Sequence, residues 1–306
     1  MNYDIIGDVH GYADELEHLL QKMGYKLEKG IYGHPKERKV VFVGDYIDRG
    51  PKIRETLHIV KNMCDSGNAY AIMGNHEYNA VCFHTKDKEN GGYFRAHGFK
   101  EIHQHYDTLK QFKNFPEEWE LFLKWFKELP LYIDFDGFRV VHAYWKDEHI
   151  EWIKNNYKNK LTEGFLKSAN TEGTVEYNII DETLKGKEIT LENEGSFIDK
   201  DGVTRFECRF KWWLPLEQRK LKKDVLMHCP VAIGEKENTE HDDIVYSSEK
   251  PVFFGHYWLQ GEPVIENPNA ICLDYSVAKD GQLIAYQLNT AIENNSPVGV
   301  NNFISL

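Results

Sequence analysis

The sequence has no apolar run near the ~18 residues that a membrane-spanning helix needs, which rules out an integral helical membrane protein. It has no CxxC pair, and its five cysteines (Cys64, Cys82, Cys208, Cys229, Cys272) are odd in number. Both facts argue against a disulfide framework and for a reducing cytoplasm. The opening Met1-Asn2-Tyr3-Asp4 carries no basic residue, so a secretory signal is not expected. Positive charge is in deficit, with 37 Lys and Arg against 49 Asp and Glu and a formal net charge of -12. That field repels nucleic acid, so a phosphate-bearing ligand has to be held by a local cluster or a metal. No internal repeat or low-complexity tract is present. What remains is 306 residues, 41% hydrophobic and 28% charged, the balance of a globular protein of one large domain or two small ones.

The first third alternates short apolar runs with helical stretches. Tyr3-Asp4-Ile5-Ile6 reads as a strand running into Gly7-Asp8-Val9-His10-Gly11. Tyr12 to Met23 sets Leu16, Leu19, Leu20 and Met23 on one helical face. Lys39 to Val43 is a strand apolar enough to be buried on both faces, ending in Gly44-Asp45-Tyr46-Ile47-Asp48-Arg49-Gly50-Pro51. A helix over Ile53 to Met63 and a strand over Asn68 to Met73 follow, the latter ending in Gly74-Asn75-His76-Glu77. Ligands of open α/β sheets sit outside the carboxyl ends of the strands, so the three loops are expected to converge at one sheet edge. Pro116 to Leu129 predicts an amphipathic helix, and Leu131–Phe135 with Phe138–Val141 a hairpin turning at Asp136-Gly137. Residues 150–225 lose the βα rhythm and read as an insertion or cap within a domain spanning 1–289. Short strands then return, including Val252-Phe253-Phe254 before Gly255-His256, and residues 290–306 read as a loose C-terminal tail.

Asp8 and His10, two apart in a tight glycine-flanked loop, let a carboxylate and an imidazole bind one cation. Asp45 could bridge two cations, Asn75 offers an amide oxygen, and His142 and His256 each follow an apolar β-rich run. This mixed nitrogen and oxygen set suits Mn, Fe or Zn, with Mn favoured, and lacks the thiolates of a structural zinc site. Two divalent ions on these six residues keep positions open for a water and a substrate, as two-metal hydrolysis requires.

Gly7-Asp8-x-His10-Gly11, Gly44-Asp45-x-x-Asp48-Arg49-Gly50 and Gly74-Asn75-His76-Glu77 together resemble the three signature blocks of the calcineurin-like metallophosphoesterases, in the form used by the phosphoprotein phosphatase branch. The resemblance is close over residues 3–80 and continues through His142 and His256. It implies a four-layer α/β/β/α sandwich with a dinuclear centre between its sheets. Asp8, His10 and Asp45 would hold one ion and Asp45, Asn75, His142 and His256 the other. A metal-bridging hydroxide would attack phosphorus in line, Arg49 would fork to the phosphoryl oxygens, and His76, oriented by Asp48, would protonate the leaving group. Glu77 would support its loop. Ala143 stands where much of the branch has glycine, and Phe254-Gly255-His256-Tyr257-Trp258 is closer to bacterial symmetrical diadenosine tetraphosphatases.

Arg205 to Lys223 carries seven basic residues against two acidic ones. Arg205 to Lys211 alternates as a strand would, making Arg205 and Arg209 candidates for a second phosphate clamp, and Trp212-Trp213 could stack on a nucleobase. The Gln218–Lys223 run reads as a charged surface. His103-Gln104-His105 has metal-like spacing but no carboxylate-rich partner loop, and His34, His84 and His97 have no role in view. The expected substrate is a phosphorylated small molecule or nucleotide, with no membrane partner and no nucleic acid. A serine/threonine protein phosphatase acting on a phosphoprotein and a catalytically silent scaffold are the alternatives.

Overall fold

The computed structural model describes residues 1–191, 196–198, 204–227, 229–238, 243–289 and 299–306. Two sheets form its centre. In the first, the strands run in the order Phe303–Ile304, Ala285–Leu288, Tyr3–Ile6, Lys39–Phe42 and Ala69–Ala71. Tyr3–Ile6 and Lys39–Phe42 are parallel, as are Lys39–Phe42 and Ala69–Ala71. In the second, Ala270–Cys272, Val252–Phe254, Arg139–Val141 and Tyr132–Asp134 lie side by side, the first three of them parallel. The hairpin at Asp136-Gly137 pairs Tyr132 with Val141.

Alternation along the strands dictates the layering, because successive side chains leave opposite faces of a sheet. Ile5, Val41 and Ile72 from the first sheet meet Val140, Phe253 and Ile271 from the second in one buried cluster. The neighbouring Ile6, Val40 and Phe42 turn the other way, into a core shared with Leu16, Leu19 and Leu20 of the helix Ala13–Lys22 and Ile53, Leu57 and Val60 of the helix Ile53–Asp65. The outer face of the second sheet gives Phe254 to Trp212 and Trp213, with ring centroids 4.8 and 5.1 Å away. The result is the four-layer α/β/β/α arrangement.

The described residues of 147–227 include the helices Asp147–Tyr157, Glu163–Ala169 and Val175–Lys185, followed by a small sheet of Glu188–Thr190, Glu207–Phe210 and Leu226–Met227. This segment is bound to the loop after His142, since Ala143 and Tyr144 donate their N–H groups to Thr183 O and Trp212 Nε1 donates to Ala143 O. The tail differs from expectation. Residues 290–298 lie outside the described residues. Phe303 and Ile304, however, pair with Tyr286 and Ala285 and form the edge strand of the first sheet. Phe303 also packs on the Tyr286 ring, at 5.3 Å.

Candidate metal centre

Every block singled out in the sequence follows a strand end at the same edge. Strands Tyr3–Ile6, Lys39–Phe42 and Ala69–Ala71 deliver Asp8, Asp45 and Asn75, while Arg139–Val141 and Val252–Phe254 deliver His142 and His256. Backbone bonds tie the loops together: the N–H groups of Val9 and His10 donate to Asp45 O, and that of Gly255 donates to His142 O. Two glycines make the close approach possible. A Cβ on Gly74 would lie 2.2 Å from Asp45 Oδ1, and one on Gly255 would lie 1.9 Å from Asp8 Oδ1. Six of the twelve non-glycine residues with positive φ among the described residues belong to these loops: His10, Asp45, Asp48, Arg49, His256 and Trp258. Such conformations cost about 1–3 kcal/mol each, and they concentrate where surrounding structure enforces them for chemistry.

Asp45 sits at the middle. Its Oδ1 accepts the His76 N–H at 3.0 Å. Its Oδ2 faces three imidazoles, 3.4 Å from His142 Nε2, 3.7 Å from His10 Nε2 and 4.0 Å from His76 Nε2. Two groups of donor atoms share this carboxylate, His10 with Asp45 and His76, and Asp45 with His142 and His256, each group within 4.8 Å. Asn75 Oδ1 joins the second, 3.0 Å from His142 Nε2 and 2.8 Å from His256 Nδ1. Asp8 falls outside both groups. Its Oδ2 accepts the His256 N–H at 3.0 Å, while its Oδ1 is buried without a partner.

The donor set fits divalent cations on the structure's own terms. Asp8 Oδ1, His10 Nε2 and His256 Nε2 are buried polar atoms with no hydrogen-bond partner, a costly condition for a protein interior unless something polar is meant to meet them. Outer contacts set the ring orientations: His10 Nδ1 lies 3.0 Å from Ile47 O and His142 Nδ1 2.8 Å from Val43 O, each donating its proton and aiming Nε2 inward. Electrostatics agree. Burial and then Asp274 push the Asp8 carboxyl well above its usual range. Burial works against a charge on His142, but Asp45 and Asp8 outweigh it and raise its pKa to about 10. His10, desolvated and facing Arg49, drops to about 3 and is therefore neutral. A cation would relieve the carboxylates and displace the proton from His142.

Beside this centre lies a second arrangement. His76 Nδ1 is 2.5 Å from Asp48 Oδ2, and Asp48 Oδ1 accepts from His105 Nδ1 at 2.7 Å and Thr108 Oγ1 at 2.6 Å. Burial alone would raise the Asp48 pKa, but His105 and His76 hold it well below the carboxylate range. His105, which has no partner loop in the sequence reading, thus has one: Asp48. Its helix, Phe99–Phe112, buries His105, Thr108 and Phe112, a spacing of three and four that is the signal available in the sequence. Arg49 Nη2 is 3.3 Å from His76 Nε2. Glu77 is fully buried and accepts the N–H groups of Asp45, Tyr46, Ile47 and Gly74, so it supports the loop. His84 Nε2 accepts from Trp119, and His97 Nε2 lies 2.8 Å from Phe83 O.

The basic segment behaves differently from its sequence. Trp212 and Trp213 are 0% and 1% exposed, and their indole N–H groups donate to Ala143 O and Glu266 Oε2, so neither offers a face to a base. Arg219 is not surface charge: it is buried and donates to Leu214 O and Trp212 O. Arg209 does reach the centre, its Nη1 3.4 Å from His256 O and its Nε 3.9 Å from Glu188. The Arg205 side chain lies outside the described residues.

Residues 1–257 match the family described as calcineurin-like phosphoesterase. A protein from Oceanobacillus iheyensis named bis(5'-nucleosyl)-tetraphosphatase PrpE (asymmetrical) is 35% identical over 144 residues, 47% of this chain and 56% of that protein. One of the same name from Geobacillus thermodenitrificans is 31% identical over 182 residues, 57% of this chain and 70% of that protein. The chain thus spans little more than half the length of the first. These names say asymmetrical where the sequence pointed to symmetrical enzymes. A serine/threonine phosphatase structure from Saccharomyces cerevisiae superposes with a TM-score of 0.48 at 16% identity, covering 100% of this chain and 79% of that one, too distant to bear on activity.

Proposed function

The chain belongs to the calcineurin-like phosphoesterase family, and from that premise we propose that it hydrolyses phosphate esters or anhydrides of a small, nucleotide-type substrate with two divalent cations. The observation that carries this reading is the position of Asp45 Oδ2, which faces His142, His10 and His76 from one point and is shared by both donor groups. Asp8, His10 and Asp45 would hold one ion, and Asp45, Asn75, His142 and His256 the other. Mn suits this nitrogen and oxygen set best. Such ions would supply charge neutralisation for the phosphoryl oxygens and a more acidic water.

The chain's own residues do the rest. Arg49, adjacent to His76 Nε2, presents a guanidinium fork to the phosphoryl oxygens and orients them for in-line attack. His76 carries the proton that goes to the leaving oxygen from Nε2. Asp48 holds the other ring nitrogen, fixing the orientation of the ring. His105 and Thr108 keep the Asp48 carboxylate in that pose. Arg209, next to His256, adds a cation on the side of the 150–225 segment, which we read as a cap on the metallophosphoesterase domain. The relatives' names favour a dinucleoside tetraphosphate as substrate. An odd number of cysteines with no CxxC pair fits work in the cytoplasm, and no described helix is long and apolar enough to cross a membrane.

The test is a comparison of turnover on diadenosine tetraphosphate, an aryl phosphate and a phosphopeptide by Mn-loaded protein, with products resolved by chromatography. Preference for the dinucleotide is expected. Preference for the phosphopeptide would replace this reading with that of a protein phosphatase.

A further inference from the structure

The loop after His256 carries an indole held in a cationic clasp. The Arg49 guanidinium lies 3.7 Å from the centroid of the Trp258 ring, and the Lys279 ammonium lies 2.8 Å from the same centroid. Both cations are attracted by the π electrons of this one indole. Trp258 is close to the centre, its ring 6.5 Å from that of His10. Two cations, Arg49 and Lys279, therefore gather on an indole beside the donor atoms.

The clasp is built rather than casual. Trp258 has φ 54°, and its N–H donates at 2.7 Å to Oδ2 of the buried Asp274. The other oxygen of Asp274 accepts the Ser276 N–H at 3.0 Å, Ser276 Oγ donates to Leu259 O at 2.9 Å, and Leu259 N–H donates to Asp274 O. Asp274 thus fastens the Trp258 loop to the turn Val277–Lys279, which is bounded by left-handed Ser276 and Asp280. A lysine normally spends rotamer freedom to hold one position, and a ring face beneath it reduces that cost.

We infer that Lys279, which shares the Trp258 ring with Arg49, forms a subsite for the phosphates beyond the one attacked, so that the site selects a chain of phosphates over a single one. Arg49 addresses the phosphoryl group at the centre and Lys279 the next group outward. The inference rests on the phosphohydrolase reading above and names a feature of substrate that the metal donors alone would not discriminate.

The experiment measures inhibition constants of orthophosphate and tripolyphosphate against aryl phosphate hydrolysis, with Mn in excess of both anions, for wild type, Lys279→Met, Lys279→Arg and Trp258→Leu. Wild type is expected to prefer tripolyphosphate. Lys279→Met should reduce that preference about tenfold, the worth of one charge-assisted contact. Lys279→Arg should restore most of it, and Trp258→Leu should reduce it as Lys279→Met does. A preference unchanged in Lys279→Met overturns the subsite while the hydrolase reading stands. A wild-type protein that turns over neither aryl phosphate nor diadenosine tetraphosphate overturns the hydrolase reading, and the subsite with it.

Discussion

The strand-end loops and the basic stretch Arg205–Lys223 both gather charged and aromatic residues, and they treat them in opposite ways. At the loops, buried polar atoms are left without partners: Asp8 Oδ1, His10 Nε2 and His256 Nε2. In the basic stretch the protein itself satisfies them. Arg219 donates to two backbone carbonyls, and Trp213 and Lys211 both reach Glu266. An interior tolerates an unsatisfied polar atom only at a cost of ~1–3 kcal/mol. Chemistry is therefore to be sought where that cost is borne, and packing where it is avoided. Charge density alone does not separate these two regions; the partners of Asp8, His10 and His256 on one side and of Arg219, Trp213 and Lys211 on the other do.

Removing the shared carboxylate should break the loop side most completely. Asp45→Ala is expected to lose metal and to lower turnover by at least about 10²-fold, measured by metal analysis with steady-state kinetics. His76→Asn should retain metal and fold yet lose about 10²–10⁴-fold on substrates with poor leaving groups. Its loss on an aryl phosphate with a good leaving group should be far smaller, and equal losses on both would contradict the assignment of the proton donor.

His105→Ala sharpens the picture between these extremes. Removing one of the two groups that hold Asp48 Oδ1 should lower kcat about tenfold with KM unchanged, again more strongly for poor leaving groups. His105→Asn, which keeps a donor, should recover part of it. Metal uptake should also release protons. Because His142 titrates near 10 in the metal-free protein, it is charged at neutral pH and must lose that proton to bind. Affinity should then tighten as pH rises from about 6 to 9, and calorimetry in buffers of different ionisation enthalpy reads the release. The smallest effect is expected on the basic side: Arg209→Ala should raise KM a few-fold and leave kcat alone, as befits a half-exposed cation.

The same contrast explains what the sequence disclosed. Asp8, Asp45 and Asn75 were legible as a converging set because each follows a short apolar strand in a glycine-bearing loop, and parallel strands put such loops at one edge. The layering was legible from a family resemblance and from the apolar run Val40–Val43. His105 was not, since it meets Asp48 across 57 positions and its helix announces itself only by buried residues at helical spacing. Trp212 and Trp213 were misread as a base platform because an indole's exposure is decided by what packs over it, here Phe254, Tyr257 and Tyr246. Phe303–Ile304 reads as tail in the sequence because two residues carry no periodicity, and its pairing with Ala285–Leu288 is visible only in the fold.

The most direct test of the central claim is metal content together with turnover of an aryl phosphate, before chelation, after it, and after Mn is restored. Two ions per chain are expected, with activity lost on chelation and regained with Mn. A protein that binds no metal and remains inactive after reconstitution would contradict the dinuclear hydrolase and favour a silent scaffold of the same fold.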